Sequence, residues 1–443
     1  MAMKIVQAVG WYFPESIGGS EVYVAGLARY VRDAGCEVIV ASPDASATQE
    51  RTYAFEDARV YRYPVAVPTT RDEWQNRVVT QGGELFQQWL LREKPDIVHF
   101  HSFATGLGIF EMRAAKKAGA KVVVTFHQPS LGYICQRGTL MRWGQALCDG
   151  ECERVKCSAC YLHSRGLHPL FAYLVGAMPV AVSKLLRNLP GMLGIVLGIG
   201  DLIEYNCSIT REMFDIVDNF VFLNKAALEI FAANGARRQK LLLNRLGISH
   251  EDIRKKVGPD VHPTQLPIKI GYLGRFDAIK GVYVLAKAFA ALPEDLEVSV
   301  EFRGPLAHTQ SQIVAKELKE IVRYDPRVSF VSAESLDSIP AIAASYDLLV
   351  CPSVCFEGGP TVALEAQAAG TPVIGSRIGG LEEIIEDGRN GRLVPVGDWQ
   401  ALVESIVQIV NNPHETIDRW RMNLPRVRTM KEIAQGYLAI YRA

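Results

Sequence analysis

The chain has 443 residues, too many for one ordinary hydrophobic core, so two or three domains are expected. Nearly half of the residues are apolar and just over a fifth are charged, a balance typical of a globular enzyme. Its 48 cationic side chains equal its 48 anionic ones, which excludes the basic surplus needed to neutralise a nucleic-acid backbone.

The amino terminus runs straight into a buried-strand pattern, Lys4 to Val9, without a secretory leader, so a cytoplasmic location is expected. A loop with Gly18-Gly19-Ser20 follows, then helical spacing from Glu21 to Ala34, then a strand from Cys36 to Ala41. Strand, glycine loop, helix and strand form the opening of a doubly wound parallel sheet. Further strands are expected at Ile97–Phe100, Lys121–Phe126 and Asn219–Leu223, giving a first α/β lobe over residues 1–258.

Between these strands lie two unusual stretches. Five of the nine cysteines crowd into Cys135, Cys148, Cys152, Cys157 and Cys160. In a cytoplasmic protein such a cluster points to metal or free thiols rather than bridges. A structural zinc on Cys135, Cys148, Cys157 and Cys160, with Cys152 as a fifth candidate, and reduced unliganded thiols are both left open. Farther on, residues 169–200 hold two apolar stretches split by Lys184 and Arg187. No run of about 20 uncharged apolar residues exists, so no spanning helix is expected. Packing in the core or between lobes is favoured here over contact in the plane of a membrane.

A second lobe, residues 262–424, begins after the turn-rich stretch 258–263. Strands are expected at Ile268–Leu273, Leu296–Phe302, 328–331, Asp347–Cys351 and Pro372–Gly375. Helices are expected at Gly281–Ala291, around 310–323, at Pro360–Ala369 and at Trp399–Asn411. Two such lobes facing each other would leave a ligand cleft at the carboxyl ends of their strands.

The richest stretch for chemistry is Pro352 to Ala366. A buried strand ends before it, Gly358-Gly359 lets a ligand approach the backbone, and a helix starts at Pro360 or Thr361. Free amides near Gly359, Thr361 and Val362, with the helix dipole, suit a diphosphate. At about 1.5 Å per helical residue, Glu357 and Glu365 stand roughly a diphosphate apart, so one could serve a sugar and the other ribose hydroxyls. Arg275 and Lys280, between a strand and a helix, can neutralise a departing diphosphate. In the first lobe Gly18 and Gly19 are the corresponding loop, while His99, His101 and above all His127 sit at strand ends.

Glu357-x7-Glu365, Gly274-Arg275-x4-Lys280-Gly281, Gly379-Gly380-Leu381-Glu382-Glu383 and Asp387-Gly388-Arg389-Asn390-Gly391 together resemble the retaining glycosyltransferases of family 4, of the GT-B fold. The resemblance is strongest from 268 to 397. It implies that Arg275 and Lys280 bind the donor diphosphate, Glu357 touches the transferred sugar and Glu365 holds the ribose. The amides near Gly359, Thr361 and Val362, and those of Gly18 and Gly19, would meet phosphate, and His127 would sit beside donor sugar and acceptor. The implied partners are a UDP- or GDP-linked sugar and a saccharide or lipid-linked acceptor, with peripheral contact to the inner face of the cell membrane. No catalytic metal is implied, and the front-face mechanism lets the leaving phosphate help deprotonate the acceptor. The last residues, 425–443, resemble the helix that returns to the first lobe. Asn244-Arg245-Leu246-Gly247-Ile248 and the cysteine-rich insertion at 135–160 depart from many members of the family, although the insertion resembles that of a subset.

Competing readings are a nucleotide-sugar sensor or scaffold without turnover, and a dinucleotide-dependent oxidoreductase. Against the second, no G-x-G-x-x-G follows the first strand.

Overall fold

Short apolar runs rich in β-branched residues cannot satisfy their backbone alone, so they pair, and they pair in parallel when a helix lies between them. This chain does so twice. The computed structural model describes residues 2–16, 18–68, 70–249, 264–306, 309–332 and 338–443. They divide into two compact units. The first holds residues up to Trp143, Cys148–Arg245 and the terminal Met430–Ala443; the second holds Leu246–Thr429 with the short segment Gly144–Leu147. The boundary expected at 258–262 lies outside the described residues.

In the first unit the sheet strands are β1 (Lys4–Ala8), β2 (Glu37–Asp44), β3 (Arg51–Phe55), β4 (Ala58–Pro64), β5 (Ile97–Phe100), β6 (Lys121–Thr125), β7 (Asn219–Phe222) and β8 (Leu241–Leu243). They lie in the order β8-β7-β6-β5-β1-β2-β4-β3. All neighbours are parallel except the edge pair β3 and β4. The order reverses at β1, whose neighbours are β2 and β5, so the loops after β1 and β5 flank the switch point where such sheets bind ligands. The terminal helix Met430–Arg442 belongs to this unit, with Met430 packed where a side chain on Gly26 would stand.

Between β6 and β7 the chain makes a helical excursion: Arg154–Ser164, Pro169–Gly176, Val180–Leu186, Gly191–Leu197 and Ile199–Ile216. Ala159, Leu162, Ala172, Ile199, Leu202, Ile203 and Cys207 form its small core. Two expectations are corrected here. The return of the Ile199–Ile216 helix against Arg154–Ser164 sets Cys207 beside Cys152, and the two form a disulfide. Across 169–197, moreover, no large apolar side chain is fully buried. Small residues (Ala172, Gly176, Ser183 and Gly194) face inward, and Leu170, Phe171, Leu174, Leu185, Met192 and Leu193 are exposed. Among the described residues no single helix is long and apolar enough to cross a membrane.

The second unit's strands are β9 (Ile268–Leu273), β10 (Val298–Gly304), β11 (Val328–Ser332), β12 (Leu348–Cys351), β13 (Val373–Ser376) and β14 (Gly391–Val394). Their order is β11-β10-β9-β12-β13-β14, and every pair is parallel. Ile270, Val300, Phe302, Leu348, Val350 and Ile374 form the middle of the core, and Leu285, Phe289, Leu318, Leu402 and Ile406 cover it from the helices. Here the switch point falls between β9 and β12.

Candidate functional site

Two loops meet at the switch point of the second unit. The loop after β9 turns through Ala278–Lys280 into Gly281, at φ +75°, before the helix Val282–Ala290. Only glycine fits there, because a Cβ on Gly281 would stand 1.8 Å from the Pro352 carbonyl oxygen in the loop after β12. The Val354 amide donates to the Ile279 carbonyl at 2.9 Å and closes the junction.

That junction brings Lys280 and Glu357 together, a contact the sequence did not disclose. Lys280 Nζ donates to Glu357 Oε1 at 2.7 Å, and Ser353 Oγ donates to the same oxygen at 2.8 Å. Burial works against the Lys280 ammonium, but the Glu357 carboxylate more than offsets it and raises the lysine pKa. The backbone of Glu357 is fixed as well: its carbonyl accepts from the Gly380 amide at 2.8 Å, and a Cβ on Gly379 would strike it. Arg275 is exposed at the rim of the same loop, and Tyr272 Oη donates to its carbonyl at 2.7 Å. Its charge is felt by Lys280 and Tyr272.

Gly359, at φ +142°, leads into the helix Thr361–Ala368, whose N-cap Pro360 offers no side-chain acceptor. The first amides of a helix have no partner within it, so those of Thr361 and Val362 are suited to an anion. Glu365, one turn on, is pushed up to about 7 by burial. The Asp387–Gly391 turn is structural: Asp387 Oδ1 accepts from the Leu393 amide at 3.0 Å, and the Gly388 amide donates to the Gly391 carbonyl at 2.8 Å.

In the first unit, Gly18 caps the helix Gly19–Asp33 in extended conformation. The Glu21 carboxylate stands 2.9 Å from where a Gly18 Cβ would be, held by Ser16 Oγ and Ser20 Oγ at 2.6 Å each. An acid therefore already occupies the first turn beside Gly18, while nothing lies within 4 Å of a Cβ on Gly19.

His127 lies just beyond β6 and belongs to a chain of polar groups running across β6, β5 and β1. Gln7 Nε2 donates to Tyr441 Oη at 3.2 Å, so Gln7 Oε1 is the acceptor for His101 Nε2–H at 2.7 Å. His101 is neutral, because burial holds its pKa well below 6.5, and its Nδ1 therefore accepts from His127 Nε2–H at 3.2 Å. Tyr441 Oη, already an acceptor, donates to His99 Nδ1 at 2.6 Å, and His99 Nε2–H meets Thr125 Oγ1 at 2.8 Å. Tyr437 Oη lies 2.9 Å from Thr125 Oγ1 and 3.0 Å from Tyr23 Oη. Burial lowers His127 to about 4, and the Tyr23 ring meets it edge-on at 4.7 Å. Gln7, Tyr437 and Tyr441 escaped sequence reasoning. A glutamine inside the apolar strand β1 and two tyrosines four apart on one helix were the available signals.

Beside this chain, still in the first unit, is a cavity of about 210 Å³. Its lining includes Trp74, Asn76, Gln128, Tyr133, Gln136 and Asn206 and no charged side chain.

Cys135, Cys148, Cys157 and Cys160, the candidate zinc ligands, are free thiols. Among the described residues no group of three or more His, Cys, Asp or Glu side chains is placed to hold a metal ion. Cys135 Sγ accepts from the Leu140 amide at 3.3 Å and Cys160 Sγ from the Trp143 amide at 3.4 Å. Burial raises the Cys148 thiol, and it raises Cys157 to about 11.

Two mainly parallel sheets with loops meeting at their switch points, one carrying a Lys–Glu pair at a helix mouth, define an α/β protein of two Rossmann-like units. Known proteins narrow this. Residues 267–412 match the family model "Glycosyl transferases group 1", and residues 17–150 match "Glycosyltransferase Family 4". The chain belongs to the family 4 glycosyltransferases, and its fold is GT-B. It is 33% identical over 153 residues to D-inositol 3-phosphate glycosyltransferase of Corynebacterium urealyticum, which covers 33% of this chain and 36% of that protein. The chain thus matches about a third of the length of such relatives. Among solved structures, sucrose-phosphate synthase from Thermosynechococcus elongatus aligns with a TM-score of 0.65 at 18% identity, over 99% of this chain and 98% of that one. HepE from Anabaena, in complex with UDP and glucose, aligns with a TM-score of 0.63 at 16% identity, over the whole of both chains.

Proposed function

We propose that the protein transfers a glycosyl group from a nucleoside diphosphate sugar to an acceptor hydroxyl with retention of anomeric configuration, in the synthesis of a surface polysaccharide or glycolipid. The observation that carries this reading is the Lys280–Glu357 pair at the switch point, beside the open amides of the helix Thr361–Ala368. The C1–O bond to the diphosphate breaks and a C1–O bond to the acceptor forms on the same face. The acceptor proton passes to the leaving phosphate. Lys280 and Arg275 take up the charge that develops on that phosphate, the helix amides bind it, Glu357 positions the sugar, and Glu365 accepts from the ribose hydroxyls. HepE, solved with UDP and glucose, supports a uridine diphosphate sugar as the first donor to try.

On the acceptor side, the uncharged cavity near His127 suits a neutral saccharide. Amide side chains pair with hydroxyls, and the aromatic rings of Trp74 and Tyr133 offer faces for sugar C–H groups. The test is a thermal-shift screen of UDP-, GDP- and ADP-sugars, followed by slow hydrolysis of the donor that stabilises the fold. Arg275→Ala with Lys280→Ala should abolish both responses, and unchanged donor affinity in that variant would overturn the assignment. Binding without hydrolysis or transfer to any acceptor would point instead to a nucleotide-sugar sensor.

A further inference from the structure

The helical excursion of the first unit is built inside out. In a helix covering a soluble core, the large apolar side chains face inward. Here Pro169–Gly176 presents Ala172 and Gly176 to the unit, and a Cβ on Gly176 would touch the Val155 carbonyl and Ser158. Its outer positions Leu170, Phe171 and Leu174 are 60%, 57% and 61% exposed. Val180–Leu186 turns Ser183 inward, where Oγ donates to the Leu197 carbonyl at 2.7 Å, and leaves Leu185 73% exposed. Gly191–Leu197 buries Gly194 and leaves Met192 and Leu193 at 62% and 64%. Three successive helices share one inversion, which scattered surface leucines would not produce.

Charge follows the same division. From Arg154 to Gly200 the sequence has no acidic residue and five cationic ones, of which Arg165 and Lys184 are exposed. Acids from outside the stretch meet two of these cations: Arg187 pairs with Asp72 at 3.1 Å and with Asp201 at 3.5 Å, and Lys156 pairs with Asp149 at 2.8 Å. An apolar outer face with exposed cations and no anions complements the headgroups and upper acyl chains of an anionic bilayer.

We infer that residues 169–197 form a membrane-docking face that seats in the interface of an anionic lipid surface without crossing it. Helices of seven and eight residues extend only about 11–12 Å, against a hydrocarbon core of about 30 Å. The first two are bent by 102° to each other, so they do not make a continuous span. The face is tied to the cavity near His127. Arg71 holds the Leu189 and Gly191 carbonyls at 3.3 and 3.4 Å, and Trp74 of the same short helix lines that cavity. Resting on the proposed transfer, this makes the acceptor a sugar on a lipid, with its headgroup within reach of the membrane-seated unit.

The test is co-flotation of the full chain with phosphatidylcholine vesicles, with and without phosphatidylglycerol, beside Leu174→Asp/Leu193→Asp and Leu185→Gln. Donor hydrolysis is measured on every protein. Wild type should float with anionic vesicles, less in high salt and less with neutral ones. The double variant should lose about tenfold or more in partitioning, and Leu185→Gln a smaller part, with hydrolysis unchanged. If the wild type stays in solution, or the double variant floats as well as it does, the inference is wrong. It is equally wrong if the variants turn a wild-type dimer into monomers without changing flotation. Should the double variant misfold, Leu185→Gln and the anionic-lipid dependence of the wild type still decide the matter. Failed hydrolysis with intact, variant-sensitive flotation would refute the transfer reading alone.

Discussion

Lys280→Met isolates the central contact of the second unit. The variant keeps the methylene stem and removes the cation, leaving Glu357 with a side chain only 9% exposed and Ser353 as its hydroxyl donor. Removing one partner of a fully buried ion pair costs about 3–5 kcal/mol. Lys280 is 30% exposed, so water can replace part of the interaction and about 2 kcal/mol is the expected loss. The loss must depend on pH. Without its cation the carboxylate is an uncompensated charge in a poorly solvated site, and low pH, by neutralising it, removes that penalty. Stability is then largely retained near pH 5 and lost as pH rises toward 8. Urea unfolding at those two values, for wild type, Lys280→Met, Glu357→Gln and the double variant, reads this directly. The double variant should recover about 1.5 kcal/mol or more of the loss at the higher pH, yet remain unable to hydrolyse donor. An equal loss at both pH values, with no recovery in the double variant, would falsify the idea that Lys280 is there to hold a buried charge.

Gly281→Ala should cost about 3 kcal/mol or more and abolish donor binding, because a Cβ would meet the Pro352 carbonyl at 1.8 Å. Gly388→Ala has a similar φ, +77°, but open space around it, and should cost only about 1 kcal/mol by thermal denaturation. Equal effects would refute the packing argument. Glu365, near 7 when unliganded, should release a proton as ribose hydroxyls donate to it, so affinity rises from about pH 6 to 8. Calorimetry in two buffers of different ionisation enthalpy should show that release in wild type and lose it in Glu365→Gln. His99 and His101, both buried, and His127, half-buried, are held neutral, with folded pKa values below the unfolded value of about 6.5. Their stability contribution is therefore present above that value and lost as pH falls, by up to about 1.4 kcal/mol per pH unit for each ring. Urea midpoints taken below pH 6.5 should fall less steeply in His101→Gln.

The fold was legible because apolar runs such as Ile268–Leu273 and Asp347–Cys351 can satisfy their backbones only in parallel sheets, and strand, loop and helix lengths agree on that answer. Candidate residues were legible where a loop left a strand, as with Lys280 and Glu357, which the structure brings into contact. What escaped were contacts between distant segments. Nothing near Lys280 says that its Nζ will rest on a carboxylate 77 positions later. Tyr437 and Tyr441 read as core residues until their helix is laid over Gln7 and His99. Cys152 read as one of a local cluster, because its partner Cys207 arrives only after the excursion folds back. The stretch 169–200 misled for a physical reason, since composition reports how apolar a segment is and not which face it turns inward.

The polar chain in the first unit constrains what His127 can do. Its Nε2 proton is committed to His101 Nδ1, so the neutral ring keeps its lone pair on Nδ1. A base whose conjugate acid titrates near 4 holds a proton poorly at neutral pH, far from the match an efficient general base needs. Such a ring is suited to accept a hydrogen bond from a sugar hydroxyl and to fix its direction. In the proposed transfer, removing the proton then falls to the leaving phosphate, whose charge grows as the glycosidic bond breaks. The investment in His99, His101, Gln7, Tyr441 and Tyr437 follows from this. A weak acceptor serves only if its lone pair points one way, and each bond in the chain removes an alternative tautomer or rotamer. In that proposed transfer the terminal helix is a positioning element, because it brings two of the hydroxyls that set which nitrogen of His127 is bare.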